Sequence, residues 1–129
     1  MSGSFLLDSN IVIALFSGDP KVKEQMATAD EVFISATVLG ELYFGARNST
    51  RPAQNIARIE EFSEQTTVLA CDEDTARDDG IIKADLKKKG RPIPDNDIWI
   101  AASARQFDLV VSSRDDHFNA VTGLRVEAW

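Results

Sequence analysis

Phe5-Leu6-Leu7-Asp8-Ser9-Asn10-Ile11-Val12-Ile13-Ala14-Leu15-Phe16 sets two apolar rhythms on either side of one acid. Phe5 to Leu7 is a short unbroken apolar run, the pattern of a strand covered on both faces. From Ser9 onward, Ile11, Val12, Ala14, Leu15 and Phe16 fall at helical spacing. The segment reads as a buried strand feeding a helix capped by Asp8 or Ser9, with Asp8 at the strand's carboxyl end.

The same alternation continues along the chain. Gly18-Asp19-Pro20 breaks it and opens a second helix from Pro20 to about Ala29, with proline at a first-turn position. Val32 to Ser35 reads as a strand. Thr37 to about Arg47 reads as a helix with Val38, Leu39, Leu42, Tyr43 and Ala46 on one side and Glu41 beside that stripe. After a turn at Asn48 to Pro52, Ile56, Ile59 and Phe62 mark a charged helix whose wet faces hold Arg58 and Glu61. Thr66 to Ala70 is a third strand, and Asp72 to Lys89 a long helix with Ala76, Gly80 or Ile81, Ala84 and Leu86 or Lys87 in its apolar rhythm. Arg91-Pro-Ile-Pro94 is extended by its prolines, and Asp95 to Ala104 is a helix with Ile98, Trp99, Ala101 and Ala102 near the core. Leu109 to Ser112 and Leu124 to Val126 complete the strands. Such alternation predicts the α/β class: one domain over residues 1–129, a mostly parallel sheet of about five strands, and helices on both faces.

Composition narrows the function. The 129 residues carry 43% hydrophobic and 27% charged side chains, as a globular domain does. A net charge of −7 is the wrong sign for a simple basic nucleic-acid-binding module. One cysteine and one histidine cannot build a disulfide or a Cys/His zinc site, which leaves carboxylates as metal ligands. No apolar run approaches the ~20 residues of a membrane span. The start Met1-Ser2-Gly3-Ser4 lacks a secretory signal, so a cytoplasmic setting is expected.

Most of the 21 acidic residues must be solvated surface, so only those set among apolar neighbours carry information. Asp8 follows Phe5-Leu-Leu, Asp97 precedes Ile-Trp-Ile-Ala-Ala, Asp115 lies just past Leu109-Val-Val-Ser-Ser, and Glu41 sits between Gly40 and Leu42. In an open parallel sheet, strand carboxyl ends face the binding crevice, so Asp8 and Asp115 converge there if their strands are neighbours. Converging carboxylates repel one another unless they hold protons or a cation, and Mg2+ suits hard oxygen ligands. Taken singly, each acid has another explanation: Asp8 or Asp97 as a helix cap, Glu41 as a half-exposed helix charge, Asp115 as a turn residue.

Leu7-Asp8-Ser9-Asn10, the Glu41 helix, Ile93-Pro-Asp-Asn-Asp97-Ile-Trp-Ile-Ala-Ala102 and Val111-Ser-Ser-Arg-Asp115-Asp-His-Phe118 stand in one order. In that combination the chain resembles a PIN-domain ribonuclease, and more narrowly a VapC-type toxin of a toxin–antitoxin pair. The closing Gly123-Leu-Arg-Val-Glu-Ala-Trp129 fits the same pattern. The resemblance implies that Asp8, Glu41 and Asp97 bind metal, with Asp115 as the fourth acid. Asp115 is preferred over its neighbour Asp116 because the Ser113 hydroxyl lies two positions before it. Asn10, Asn96, Ser113 and Asp116 would stand beside these acids and orient them or the water around the metal.

By the same resemblance, the activity is hydrolysis of RNA phosphodiester bonds with Mg2+ or Mn2+, in a homodimer neutralised by a cognate antitoxin protein. No histidine or serine nucleophile is needed, and His117 reads as a surface or partner-contacting group. Cys71 reads as a small buried residue, and Trp99 and Trp129 as packing groups. An RNA groove would draw on Arg47, Arg51, Arg58, Lys83, Lys87, Lys88, Lys89 and Arg91, although the lysine run followed by Gly90 also suits a plain helix end.

Other readings share an acidic crevice. A receiver-type phosphoacceptor domain would want an acidic pair at the first strand end and a lysine near the last strand, where this chain offers Asp8-Ser9-Asn10 and Leu124-Arg-Val. A haloacid-dehalogenase-like phosphatase would need Asp-x-Asp. A PIN fold that binds RNA or protein without cutting is the remaining alternative.

Overall fold

The structure, a computed structural model, describes residues 3–129. The Met1-Ser2 part of the start read above for signals lies outside the described residues. Among those residues the strands are β1 (Ser4–Leu7), β2 (Glu31–Ser35), β3 (Thr67–Leu69), β4 (Val110–Ser112) and β5 (Val126–Glu127). The α-helices are α1 (Ser9–Phe16), α2 (Pro20–Thr28), α3 (Ala36–Arg47), α4 (Pro52–Glu64), α5 (Glu73–Lys89) and α6 (Asp95–Gln106). Every strand pairing is parallel and the order is β3-β2-β1-β4-β5, so the sheet is the predicted five-stranded parallel one. The chain winds outward from β1 through β2 and β3, then returns to β1's other edge with β4. That reversal between β1 and β4 is the crevice where open α/β sheets bind ligands.

Register decides what faces the crevice. Leu7 of β1 is level with Ser112 of β4, and the Asp8 N–H donates to the Ser112 carbonyl at 2.9 Å, so the ladder runs one step past the strands. Asp8 and Ser113 therefore leave the sheet side by side. Leu6, Leu7, Ile34 and Val111 are fully buried in the sheet's middle. Removing such side chains from water is worth about 1.5–3 kcal/mol each, and a one-residue slip would exchange the packed faces they fit, so their shapes fix the register.

Helix α6 is apolar nearly all round: Ile98, Ile100, Ala101, Ala102, Ser103 and Ala104 are all buried. Its small residues allow close packing, and it presses against α5. Trp129 is buried with its ring edge-on to Phe5, centroids 4.9 Å apart, as a packing group. Trp99 is half-buried.

The structure differs from the sequence reading of the elements as follows. The buried positions of α5 are Thr75, Ile82 and Leu86, while Ala76, Ile81 and Ala84 are exposed. The buried stripe is thus set by a threonine where an alanine was expected: the Thr75 hydroxyl closes a capping box with Asp72 and contacts Gln106 of α6. Cys71 is exposed and lies 3.6 Å from the Thr37 hydroxyl. Strand β5 is Val126–Glu127, shifted beyond Leu124, because its partners are Val111 and Ser112. Asp116–Ala120 forms a 3-10 helix where only a turn was read, started by the Asp115 carboxylate accepting from the His117 N–H at 3.0 Å.

The lysine run behaves partly as helix-end chemistry. Gly90 takes the left-handed conformation at φ 67°, and the Lys89 ammonium pairs with Asp85 at 3.0 Å and donates to the Ala120 carbonyl at 2.9 Å. Arg58 is exposed, and its guanidinium lies over the Phe16 ring, 4.8 Å from the centroid.

Candidate metal centre

Asp8 leaves β1 and caps α1. One carboxylate oxygen accepts from the Ser9 N–H at 2.8 Å, and the other from the Ser113 hydroxyl at 2.8 Å and the Asn10 amide at 3.3 Å. The side chain is both the cap and a buried acid at the crevice, so the two explanations of this residue are compatible. Burial pushes its carboxyl above the ordinary value, the Ser113 and Ser9 hydrogen bonds oppose that, and the charges of Asp97 and Asp115 add to the rise.

Glu41 arrives by another route. Helix α3 starts where β2 ends, and the buried Ser35 hydroxyl caps it by accepting from the Val38 N–H at 3.2 Å. That start carries Glu41 into the crevice next to β1. One Glu41 oxygen is 3.5 Å from the Asn96 amide, and the other, Oε1, is buried with no hydrogen-bond partner. Burial raises its pKa first, the Asn96 and Ser9 side chains oppose that, and the charges of Asp8 and Asp97 add to the rise.

Asp97 lies in the first turn of α6, after Pro94, and is buried although it caps nothing. The cap explanation for this residue therefore fails. Its Oδ2 is 2.9 Å from Nδ1 of His117, and burial raises its pKa against that contact. Asp115 follows β4. Its N–H donates to the Ser113 hydroxyl at 3.0 Å, and its Oδ1 lies 3.1 Å from the same His117 nitrogen.

Four carboxylates from four separate elements thus share one crevice. Each of Asp8, Glu41 and Asp97 is raised in part by others of the set. Among the described residues, the Lys and Arg ion pairs go to Asp19, Asp74, Asp85, Asp95 and Asp108, never to these four. The neighbouring polar groups hold the acids in place: Asn10 bridges Asp8, Ser113 at 3.3 Å and the Arg114 N–H at 3.2 Å, and Asn96 reaches Glu41. Asp116 is exposed and its charge acts on the His117 ring, whereas Asp115 acts on Asp8 and Asp97.

A divalent cation fits this donor set. Glu41 Oε1 is buried without a hydrogen-bond partner, an arrangement that a cation beside it would relieve. Hard oxygens with no lysine or arginine to neutralise them are what Mg2+ or Mn2+ takes.

Comparison with known proteins identifies the family. The PIN domain family model matches residues 5–124. The chain belongs to the PIN domain family. Ribonuclease VapC2 of Haemophilus influenzae is 39% identical over 128 residues, covering 97% of each chain. The tRNA(fMet)-specific endonuclease VapC of Shigella flexneri is 38% identical with the same coverage. In structure, DNA-bound VapBC from Salmonella typhimurium superposes with a TM-score of 0.90 at 32% identity, over 100% of this chain and 99% of that one. VapBC-1 from nontypeable Haemophilus influenzae gives a TM-score of 0.89 at 33% identity over 98% of both.

Membership of the PIN domain family removes the receiver and phosphatase readings. Within this PIN domain, the residue that sequence reasoning undervalued is His117. It is exposed, as a surface group should be, and its ring also lies against two of the four acids. The signal was its place two positions after Asp115 and one before the buried Phe118, which turns a half-exposed ring toward the crevice. Its pKa is raised, first by the Asp97 contact. No described helix of the domain is long and apolar enough to cross a membrane.

Proposed function

We propose that this PIN domain is a divalent-cation-dependent endoribonuclease that acts as the toxin of a toxin–antitoxin pair, with Asp8, Glu41, Asp97 and Asp115 as its metal-holding acids. The observation that carries the reading is the crevice itself: four carboxylates that draw no Lys or Arg ion pair among the described residues, and a buried Glu41 oxygen with no hydrogen-bond partner. The kinship to VapC ribonucleases and VapBC complexes supports the same reading.

A bound Mg2+ or Mn2+ would lower the pKa of a coordinated water and neutralise charge on the phosphoryl oxygens of RNA. The chain's own residues would do the rest. Ser113, Asn10 and the Ser9 N–H hold the Asp8 carboxylate in one orientation, so little freedom remains to be lost when it binds a cation. Asn96 steadies one Glu41 oxygen and leaves Oε1 for a ligand. Asp97 and Asp115 present further oxygens, each in contact with His117.

Purified protein incubated with tRNA(fMet) and with total RNA, with Mg2+ or Mn2+ and beside EDTA, tests the reading. Cleavage that needs metal and disappears in Asp97→Asn supports it. Intact RNA in every lane, with folded protein free of antitoxin, would instead favour a non-cleaving PIN fold. The partner half of the proposal predicts a homodimer, a native mass twice 14.2 kDa, and a stable complex with the antitoxin. A monomer at high concentration would contradict the dimer.

A further inference from the structure

We propose that His117 contributes its Nδ1 as a direct ligand to the divalent cation shared by Asp97 and Asp115, making the centre a mixed nitrogen and oxygen site. The inference rests on the metal-holding role given above to the carboxylates.

Position is the first argument. Nδ1 lies 2.9 Å from Asp97 Oδ2 and 3.1 Å from Asp115 Oδ1, and one ligand atom from each of the three residues falls within 4.8 Å of the others. Neighbouring corners of an octahedron with bonds of ~2.1 Å are about 3 Å apart, so Nδ1 already stands at that spacing from each of the two carboxylate oxygens. A nitrogen that faces two carboxylate oxygens has two stable roles there: N–H donor to them, or co-ligand of a cation they share.

Rigidity is the second. The ring is carried on a short 3-10 helix pinned on both sides of His117. The Asp115 carboxylate accepts from the His117 N–H at 3.0 Å, Phe118 is completely buried, and Lys89 donates to the Ala120 carbonyl at 2.9 Å. A surface histidine without function needs no such support. The helix also sets the ring's half-exposed face toward solvent, so an ion can enter beside it.

The chemistry gives the consequence. Imidazole suits first-row transition ions, whereas Mg2+ prefers oxygen and keeps its waters. The centre should therefore discriminate for Mn2+ over Mg2+, and His117 should be the residue responsible.

His117 is the single histidine of the chain, so an imidazole nitrogen signal from bound Mn2+ has one possible source. Pulsed electron paramagnetic resonance of the full-length protein loaded with Mn2+ alone should show directly coordinated imidazole 14N, absent in His117→Gln. Titration calorimetry should show Mn2+ affinity falling on the order of tenfold in that variant, with Mg2+ affinity changed less. The wild-type spectrum decides the matter even if the variant folds poorly. Tight Mn2+ binding without imidazole coupling, or equal Mn2+ affinity in His117→Gln, overturns the inference and leaves the carboxylate reading standing. No Mn2+ binding by the native protein overturns both.

Discussion

The Ser113 hydroxyl donates to Asp8 Oδ2 over 2.8 Å, joining residues 105 positions apart at the mouth of the sheet. The same hydroxyl accepts from the Asp115 N–H, so one small side chain ties the first acid to the fourth. Ser113→Ala should leave the fold intact and lower both cation affinity and RNA cleavage by about 10- to 100-fold. Calorimetry with Mn2+ beside a cleavage assay checks this; undiminished affinity would show that Asp8 holds its orientation without the serine.

Cation binding should stabilise the fold. Mg2+ or Mn2+ at a hundred times its dissociation constant adds about 2.7 kcal/mol to a protein that binds it only when folded. Thermal melts with and without Mn2+ should show this rise for the native chain and little of it for Asp97→Asn. An equal rise in both would place the ion elsewhere.

Without divalent cations, stability should increase as pH falls from 8 toward 5. Asp8, Glu41 and Asp97 hold protons more tightly when folded than when unfolded, so they favour the fold increasingly as pH falls through their raised values toward about 4. His117 is raised too; its contribution is complete below about 6.5 and is lost as pH rises through its folded value. Asp19, Asp72 and Asp85 are lowered and work in the opposite sense, but only as pH falls below about 4. Asp79, also raised by burial, acts in the same sense; melting temperatures measured in EDTA across this range provide the check, and a profile that is flat or rises with pH would contradict the burial that raises these acids.

The 3-10 helix rests on Phe118, which is fully buried. Phe118→Ala should cost about 3–5 kcal/mol in urea unfolding. It should also release His117 from the acids, reducing Mn2+ affinity in whatever fraction remains folded. A loss under 1 kcal/mol would mean that the helix is held by its backbone contacts instead.

Ser35→Ala removes the cap of α3 and should cost about 1 kcal/mol, since a buried N–H at Val38 loses its acceptor. Because α3 carries Glu41, the same change should weaken cation binding more than its stability cost alone implies. Comparing melts with Mn2+ titrations separates the two effects.

The sequence by itself determined the alternating strand and helix order, because buried parallel strands must be continuous apolar runs and helices must repeat near every third or fourth residue. It also singled out Asp8, Glu41, Asp97 and Asp115, since an acid is placed among Leu, Ile and Val only at a cost. It could not show that these acids meet. That was decided by the reversal of winding at β1, which sets β4 alongside it with Leu7 level with Ser112, and pairing across so long a loop leaves no local trace in the sequence. The same holds for His117 and for the buried stripe of α5. A ring on a short 3-10 helix, or a threonine used as both cap and core, is defined by what packs against it, and only the folded chain brings those neighbours together.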